Sequence, residues 1–159
     1  MKKLYYNLNK CLGCKSCEIA CAIGHSRSKD IFAAIYEETI SKPRVKVASS
    51  KKRPFPLSCR HCEDAKCIDA CMSGALIYDE QKGVVIHNED KCVGCWMCIM
   101  VCPYGSIRPN RQTKIPLRCD LCINEDKPRC VEACPTGAIF FGEEEEFMVE
   151  TESRPDRAQ

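Results

Sequence analysis

Apolar residues in this chain come in short runs, and few keep one period for long. "ALIYDEQKGVVIH" (75–87) sets two apolar stretches around a polar, glycine-containing centre and predicts a β-hairpin turning at "DEQKG". "PRVKVAS" (43–49) alternates and predicts a strand. "GAIFFG" (137–142) predicts another, and "KIPLRC" (114–119) a return strand after "GSIRPN" (105–110). "SKDIFAAIYEETI" (28–40) has mixed apolar spacing and predicts a helix of about two or three turns. The end of the chain, "TESRPDRAQ", is polar and reads as disordered. These elements promise a thin core, because Cys, Gly, Pro or a charge interrupts the aliphatic and aromatic residues every few positions. Segments this short rarely fold without metals or disulfides.

Composition supplies the missing element. The chain has 159 residues, 16 of them cysteine. Its beginning, "MKKLYYNLNKCLGC", has no apolar run before the first cysteine and no twin arginine, and no later stretch reaches the length of a membrane span. The chain therefore reads as cytoplasmic, where thiols stay reduced and clustered cysteines bind metal rather than form disulfides. A net charge of +2 gives no nucleic-acid footprint. Charge is concentrated in basic "SSKKRP" (49–54) and acidic "GEEEEF" (142–147), which read either as solvated loops or as docking patches.

The cysteines form four sets of four. The first is "CLGCKSCEIAC" with Cys11, Cys14, Cys17 and Cys21, and the third is "CVGCWMCIMVC" with Cys92, Cys95, Cys98 and Cys102. Both follow C-x2-C-x2-C-x3-C. The second, "CRHCEDAKCIDAC", has Cys59, Cys62, Cys67 and Cys71, and the fourth, "CDLCINEDKPRCVEAC", has Cys119, Cys122, Cys130 and Cys134. A glycine follows each fourth cysteine by three residues: Gly24, Gly74, Gly105 and Gly137. The repeat predicts a loop, a short helix closing at glycine, and then, in the last three sets, a strand.

Zinc ribbons separate their C-x2-C knuckles by ten or more residues. Here C-x3-C always lies close behind the first pair, the bacterial ferredoxin run in which the fourth cysteine ligates a neighbouring iron–sulfur cluster. The third and fourth sets complete the run with Pro103 and Pro135; the first and second have Ala22 and Met72 instead. Three thiolates on a tight loop hold three corners of one cube, and a helix starting near the third advances about 6 Å to the fourth. Gly13 and Gly94 suit the sharp loop and let backbone N–H groups approach sulfur. Sixteen thiolates suit four 4Fe–4S clusters, with a structural zinc protein as the other reading. Pairing of adjacent or of nested sets satisfies the same count.

Other residues carry weaker signals. His25, His61 and His87 are not needed as ligands, since no cysteine is missing. Trp96 either shields a cluster or only packs. Lys15, Arg60, Lys66 and Arg118 stand beside cysteines and either offset cluster charge or are surface groups. There is no P-loop, no G-x-G-x-x-G and no catalytic triad, so no substrate site of its own is expected and the chain does not read as an enzyme.

Over residues 4–142 the chain resembles the four-cluster ferredoxin-type subunits of anaerobic oxidoreductases, such as formate dehydrogenases, dimethyl sulfoxide reductase and formate hydrogenlyase. "CLGCKSCEIACAIGHSRSK", "CVGCWMCIMVCPYGSI" and "PLRCDLC" are most similar to the CooF type, the iron–sulfur partner of nickel carbon monoxide dehydrogenase. The resemblance implies an α+β fold of two bacterial-ferredoxin-like modules, loop-rich, with short helices and β-hairpins around the clusters. It also implies nested pairing: Cys11, Cys14, Cys17 with Cys134; Cys119, Cys122, Cys130 with Cys21; Cys92, Cys95, Cys98 with Cys71; and Cys59, Cys62, Cys67 with Cys102. The first module then takes residues 1–58, including an insertion at 22–58, and 103–142; the second takes 59–102; and 143–159 is an acidic, then polar, tail. The implied function is a relay of single electrons from carbon monoxide dehydrogenase to a hydrogenase or a flavin NAD(P) oxidoreductase. The alternative is the same relay within a formate dehydrogenase, hydrogenase or molybdenum reductase. Larger relatives have membrane anchors or long insertions after the third set; "PYGSIRPNRQTKIPLR" (103–118) is short, which disfavours direct attachment to a membrane.

Overall fold

The structure is a computed structural model describing residues 1–49 and 53–152. Its first elements are β1 (Lys3–Tyr6), α1 (Ser16–Gly24), α2 (Ile31–Ile35), β2 (Lys46–Ser49), β3 (Pro54–Leu57), α3 (Lys66–Asp69) and β4 (Leu76–Asp79). There follow β5 (Val84–His87), α4 (Met97–Val101), β6 (Arg108–Pro109), β7 (Pro116–Leu117), α5 (Arg129–Glu132), β8 (Ile139–Gly142) and α6 (Glu144–Glu152). The result is a cysteine-rich α+β fold in which, among the described residues, the strands form four two-stranded antiparallel sheets. No described helix is long and apolar enough to cross a membrane.

Two compact units emerge: Met1–Leu57 with the chain from Cys122 onward, and Ser58–Leu121. Residues 103–121, which the resemblance assigns to the first module, fall in the second unit. Ile107 is buried there with Leu76 and Val85, and the Lys114 backbone lies close against Gly94.

In the first unit, β1 pairs with β8 from Lys3↔Gly142 to Tyr6↔Ile139. Buried Cys17, Cys21, Val45, Val47, Cys130 and Ile139 form the core beneath, so half of it is cysteine. The acidic run proves to be the start of α6 and not a loop. Glu143 N donates to Glu146 Oε2 at 3.0 Å, half of a capping box, and Glu144, Glu145 and Glu146 lie in the first turn, where the helix dipole favours negative charge. Phe147 anchors the helix by stacking on Tyr5, with ring centroids 5.1 Å apart, and packing against Phe140 at 5.9 Å. Residues 50–52 of the basic run and 153–159 of the polar end lie outside the described residues.

The helix expected over 28–40 shortens to α2. Asp30 caps it, accepting from Phe32 N and Ala33 N at 3.0 and 2.9 Å. It ends because the Glu37 carboxylate turns back to accept from Arg27 N and Ser28 N, at 3.2 and 2.7 Å.

In the second unit, the β4–β5 hairpin turns where expected. Asp79 Oδ1 accepts from Gln81 N and Lys82 N, and Gly83 takes φ 64° and donates its N–H to Asp79 O at 2.8 Å. The β6–β7 pair supplies the expected return strand. Ala65, Leu76, Val85, Cys98 and Ile107 are the buried core, with Cys62, Cys67, Cys71 and Cys102 packed around it.

Candidate metal centres

The four cysteine sets build one local structure four times. The residue before the second cysteine is left-handed in each: Gly13 at φ 69°, His61 at 48°, Gly94 at 67° and Leu121 at 56°. That conformation disfavours a side chain, so glycine fits the first and third sets, and His61 and Leu121 carry strain of about 1 kcal/mol or more. A helix then begins one residue before the third cysteine: α1 before Cys17, α3 before Cys67, α4 before Cys98 and α5 before Cys130. None has a side-chain cap at Lys15, Ala65, Trp96 or Pro128, which leaves first-turn amides at the end bearing that cysteine.

The fourth cysteine lies beyond the helix in three sets. Cys71, Cys102 and Cys134 each accept at their carbonyl from Gly74, Gly105 and Gly137, at 3.0, 3.2 and 3.2 Å. These glycines take φ 61°, 59° and 63°. They therefore close a turn on the fourth cysteine rather than close the helix. Gly24 departs from this: it lies inside α1, and a Cβ there would meet Arg129 Cδ at 2.5 Å, so it permits close packing against the side chain of α5.

This geometry gathers cysteines from different sets. One cavity of the first unit is lined by Cys11, Cys14, Cys17 and Cys134. In the second unit, one is lined by Cys59, Cys62, Cys67 and Cys102, and another by Cys71, Cys92, Cys95 and Cys98. Of the remaining four, Cys21 and Cys130 are buried in the first unit's core and Cys122 is half-buried in that unit, while Cys119 is buried in the second. None of the sixteen cysteines is in a disulfide, and Cys14 and Cys95 alone are exposed.

Several sulfurs accept hydrogen bonds. Arg44 N reaches Cys21 Sγ at 3.2 Å, Ala138 N reaches Cys134 Sγ at 3.2 Å, and Leu121 N reaches Cys119 Sγ at 3.4 Å. Hydroxyls two residues on stand 3.7 Å from the fourth cysteines, Ser73 beside Cys71 and Thr136 beside Cys134. The sequence reading missed these, although "MSGA" and "PTGA" repeat the pattern.

The thiol chemistry fits a cationic centre. Burial, then Glu18, Cys134 and Cys14, pushes the Cys17 thiol up to about 11. Burial, then Cys67, Cys92 and Cys95, pushes Cys98 up to about 11. Cys62 is raised by burial and by Cys59 and Cys102. For Cys134 burial acts upward, but the Thr136 hydroxyl and nearby backbone amides outweigh it and lower the thiol. Neighbouring thiolates thus repel one another, and a quartet can be fully deprotonated only around compensating positive charge.

The other candidates separate clearly. His61 is buried and its Nδ1 accepts from Val85 N at 3.1 Å, so that nitrogen is unprotonated. His25 Nδ1 lies 2.7 Å from Cys21 O, which makes it the donor. His87 and half-buried Trp96 line the Cys92 cavity. Lys15 is exposed at the first cavity; Lys66 is exposed and paired with Asp64 at 3.0 Å. Exposed Arg60 stacks 4.4 Å over Tyr104. Arg118, by contrast, is not a surface group: it is 4% exposed and donates from Nη2 to Cys59 Sγ at 3.2 Å.

Comparison with known proteins agrees with this chemistry. A 4Fe-4S dicluster domain matches residues 51–144, and a 4Fe-4S binding domain matches residues 8–24. An iron-sulfur protein of Rhodospirillum rubrum is 40% identical over 152 residues, covering 86% of this chain and 79% of its own. Electron transport protein HydN of Escherichia coli is 37% identical, covering 83% and 82%. The iron-sulfur subunit of the nitrate-inducible formate dehydrogenase of Escherichia coli is 30% identical, covering 93% of this chain and 56% of its own. A solved active-site complex BamBC of benzoyl coenzyme A reductase shares the fold at TM-score 0.51 and 22% identity, covering 96% of this chain and 88% of its own. Matched by the dicluster model over more than half its length, the chain belongs to the 4Fe–4S dicluster-domain family of iron–sulfur electron-transport proteins and holds multiple 4Fe–4S clusters.

Proposed function

We propose that the chain holds four 4Fe–4S clusters and relays single electrons between two redox partners in the cytoplasm, with no substrate chemistry of its own. The ligand quartets are Cys11, Cys14, Cys17, Cys134; Cys21, Cys119, Cys122, Cys130; Cys59, Cys62, Cys67, Cys102; and Cys71, Cys92, Cys95, Cys98. The observation that carries this reading is the lining of three cavities by four cysteines each, three from one set and one from another. The pairing joins the first set with the fourth and the second with the third, as in two ferredoxin-like modules. When bound, each cluster accepts and passes on one electron.

Exposed Cys14 in the first unit and Cys95 in the second mark the two ports, since electron transfer weakens steeply with distance. Their rims differ. Exposed Leu12 and Lys15 flank Cys14, whereas Val93, Met97, Met100 and Met72, beside ligands of the other port, are exposed and apolar. Charge near a port steers encounter more than it sets affinity, and apolar surface favours a lasting contact. On this reading the donor is nickel carbon monoxide dehydrogenase and the acceptor a hydrogenase or flavin NAD(P) oxidoreductase. The formate dehydrogenase iron-sulfur subunit among the relatives favours the second reading, a relay serving formate dehydrogenase or another such oxidoreductase, as much.

Iron and sulfide content of anaerobically purified protein tests the clusters: about sixteen of each per chain is expected, and stoichiometric zinc with little sulfide refutes it. Carbon monoxide with catalytic carbon monoxide dehydrogenase should bleach the visible absorbance quickly. Equally fast bleaching by formate with formate dehydrogenase removes the support for the first donor.

A further inference from the structure

Arg118 sits in an environment that costs free energy unless something compensates it. Its guanidinium is always charged. Besides the bond from Nη2 to Cys59 Sγ at 3.2 Å, its Nε and Nη1 are buried and have no hydrogen-bond partner among the described residues. No described carboxylate pairs with it. A buried cation with unused donors calls for a negative partner. The groups beside it that would become anionic on holding a cluster are the cysteines of one cavity: it bonds Cys59 Sγ, and while burial raises the Cys67 thiol, the Arg118 charge acts to lower it.

Among the described residues, no buried guanidinium or ammonium stands against the sulfurs of the other quartet of this unit, whose cavity His87 also lines. The side chain recorded against its sulfurs is the neutral Ser73 hydroxyl, 3.7 Å from Cys71. Arg60, the other arginine near Cys59, is exposed and stacked on Tyr104, so water screens its charge. One quartet therefore has a desolvated positive charge bonded to a ligand sulfur, and its neighbour in the same unit does not. Net charge and hydrogen bonds to sulfur both set a cluster's potential. A fixed cation stabilises the form carrying one more electron, and more strongly away from water.

We propose that Arg118 raises the potential of the site formed by Cys59, Cys62, Cys67 and Cys102 above that of the Cys71, Cys92, Cys95, Cys98 site, so that the first of these is reduced before the second. The reduction adds one electron from the partner oxidoreductase, or from dithionite, and moves no proton. This rests on the four-cluster reading, and iron and sulfide content tests that reading separately, before any titration.

The experiment is an anaerobic potentiometric titration of wild-type and Arg118→Gln protein, followed by electron paramagnetic resonance and visible absorbance. One reduction step should move to lower potential and the others should stay. At that step's wild-type midpoint the ratio of reduced to oxidised site should fall about tenfold, the loss of one charge-assisted hydrogen bond, or about 59 mV for one electron. Cys102→Ser should alter the spectrum of that same step, and Cys71→Ser should not. If Arg118→Gln loads less iron than wild type, Arg118→Lys takes its place, since it keeps the charge and loses the planar fork. It should lower the same step by less than tenfold. Fully loaded variants whose steps all stay put, or all move together, overturn the proposal. So does a moved step whose spectrum answers to Cys71→Ser.

Discussion

Replacing Gly94 by alanine separates two costs that a cluster loop imposes on its backbone. Gly94 lies between Cys92 and Cys95 at φ +67°, and a Cβ there would sit 2.6 Å from the Lys114 carbonyl oxygen. The left-handed backbone disfavours alanine by about 1–2 kcal/mol. Displacing a backbone carbonyl adds about 1–3 kcal/mol, as overpacking does elsewhere. Gly105, in the same unit, is the control: its φ is +59°, but a Cβ would meet nothing within 4 Å. Gly105→Ala should therefore carry only the first cost, and Gly94→Ala about 2–5 kcal/mol in all. His61 and Leu121, left-handed at corresponding positions, show that the backbone term alone is tolerated. Loss of clusters is irreversible, so the assay is the rate of visible bleaching under anaerobic heating at one fixed temperature. Gly94→Ala should bleach fastest, Gly105→Ala next and wild type slowest, with each 1.4 kcal/mol felt in the barrier worth about tenfold. Iron in freshly purified Gly94→Ala should also fall by about one cluster's share of four atoms. Equal bleaching and equal iron in the two variants would refute the steric argument, because the Lys114 carbonyl would then have yielded freely.

Three further outcomes are expected. Cys134→Ser should perturb the site of Cys11, Cys14 and Cys17 while leaving that of Cys119, Cys122, Cys130 and Cys21 intact; spectra showing the reverse would favour pairing within the fourth set. Cluster assembly on metal-free protein should run faster at pH ~9 than at pH ~7 and release protons, because loading requires thiolates. Burial holds Cys17 and Cys98 up near 11, so raising the pH toward that value supplies more of them. A pH-independent rate, measured by absorbance, would contradict it. Phe147→Ala should free α6 from Tyr5 and Phe140, destabilising the helix by about 1–3 kcal/mol; limited proteolysis should then cut near residue 144 while iron content stays the same.

Much of the site was legible because cysteine spacing encodes it directly. The helix starts before Cys17, Cys67, Cys98 and Cys130 follow from the repeat, and the β4–β5 hairpin follows from the two apolar runs around "DEQKG". What stayed hidden depends on distant partners. "KLYY" does not alternate in polarity, and β1 becomes a strand because Ile139–Gly142 pairs with it. β3 contains Pro54 and Pro56, which argue against a strand; it is tolerated as an edge in a two-stranded sheet with β2. "GEEEEF" reads as a solvated charge run until Phe147 finds Tyr5. The burial of Arg118 could not be read from its place beside Cys119, since the bond that defines it goes to Cys59.

The arrangement of charge explains why folding and cluster binding belong together here. Half of the first unit's buried core is cysteine, and four half-buried cysteines surround that of the second. Without a positive centre, these thiols satisfy the fold only as neutral groups, and a quartet of thiolates would push the core apart. With one, the same sulfurs become the strongest links between segments far apart in sequence, such as Cys11 and Cys134 or Cys59 and Cys102. Metal affinity then contributes folding free energy that the aliphatic residues cannot supply. The same electrostatics act on electron transfer: each amide, hydroxyl or guanidinium aimed at a sulfur both stabilises the bound thiolate and eases addition of an electron. A side chain that steadies a bound thiolate in this protein therefore also acts on its redox behaviour, and Arg118, whose Nη2 donates to Cys59 Sγ, is one such side chain.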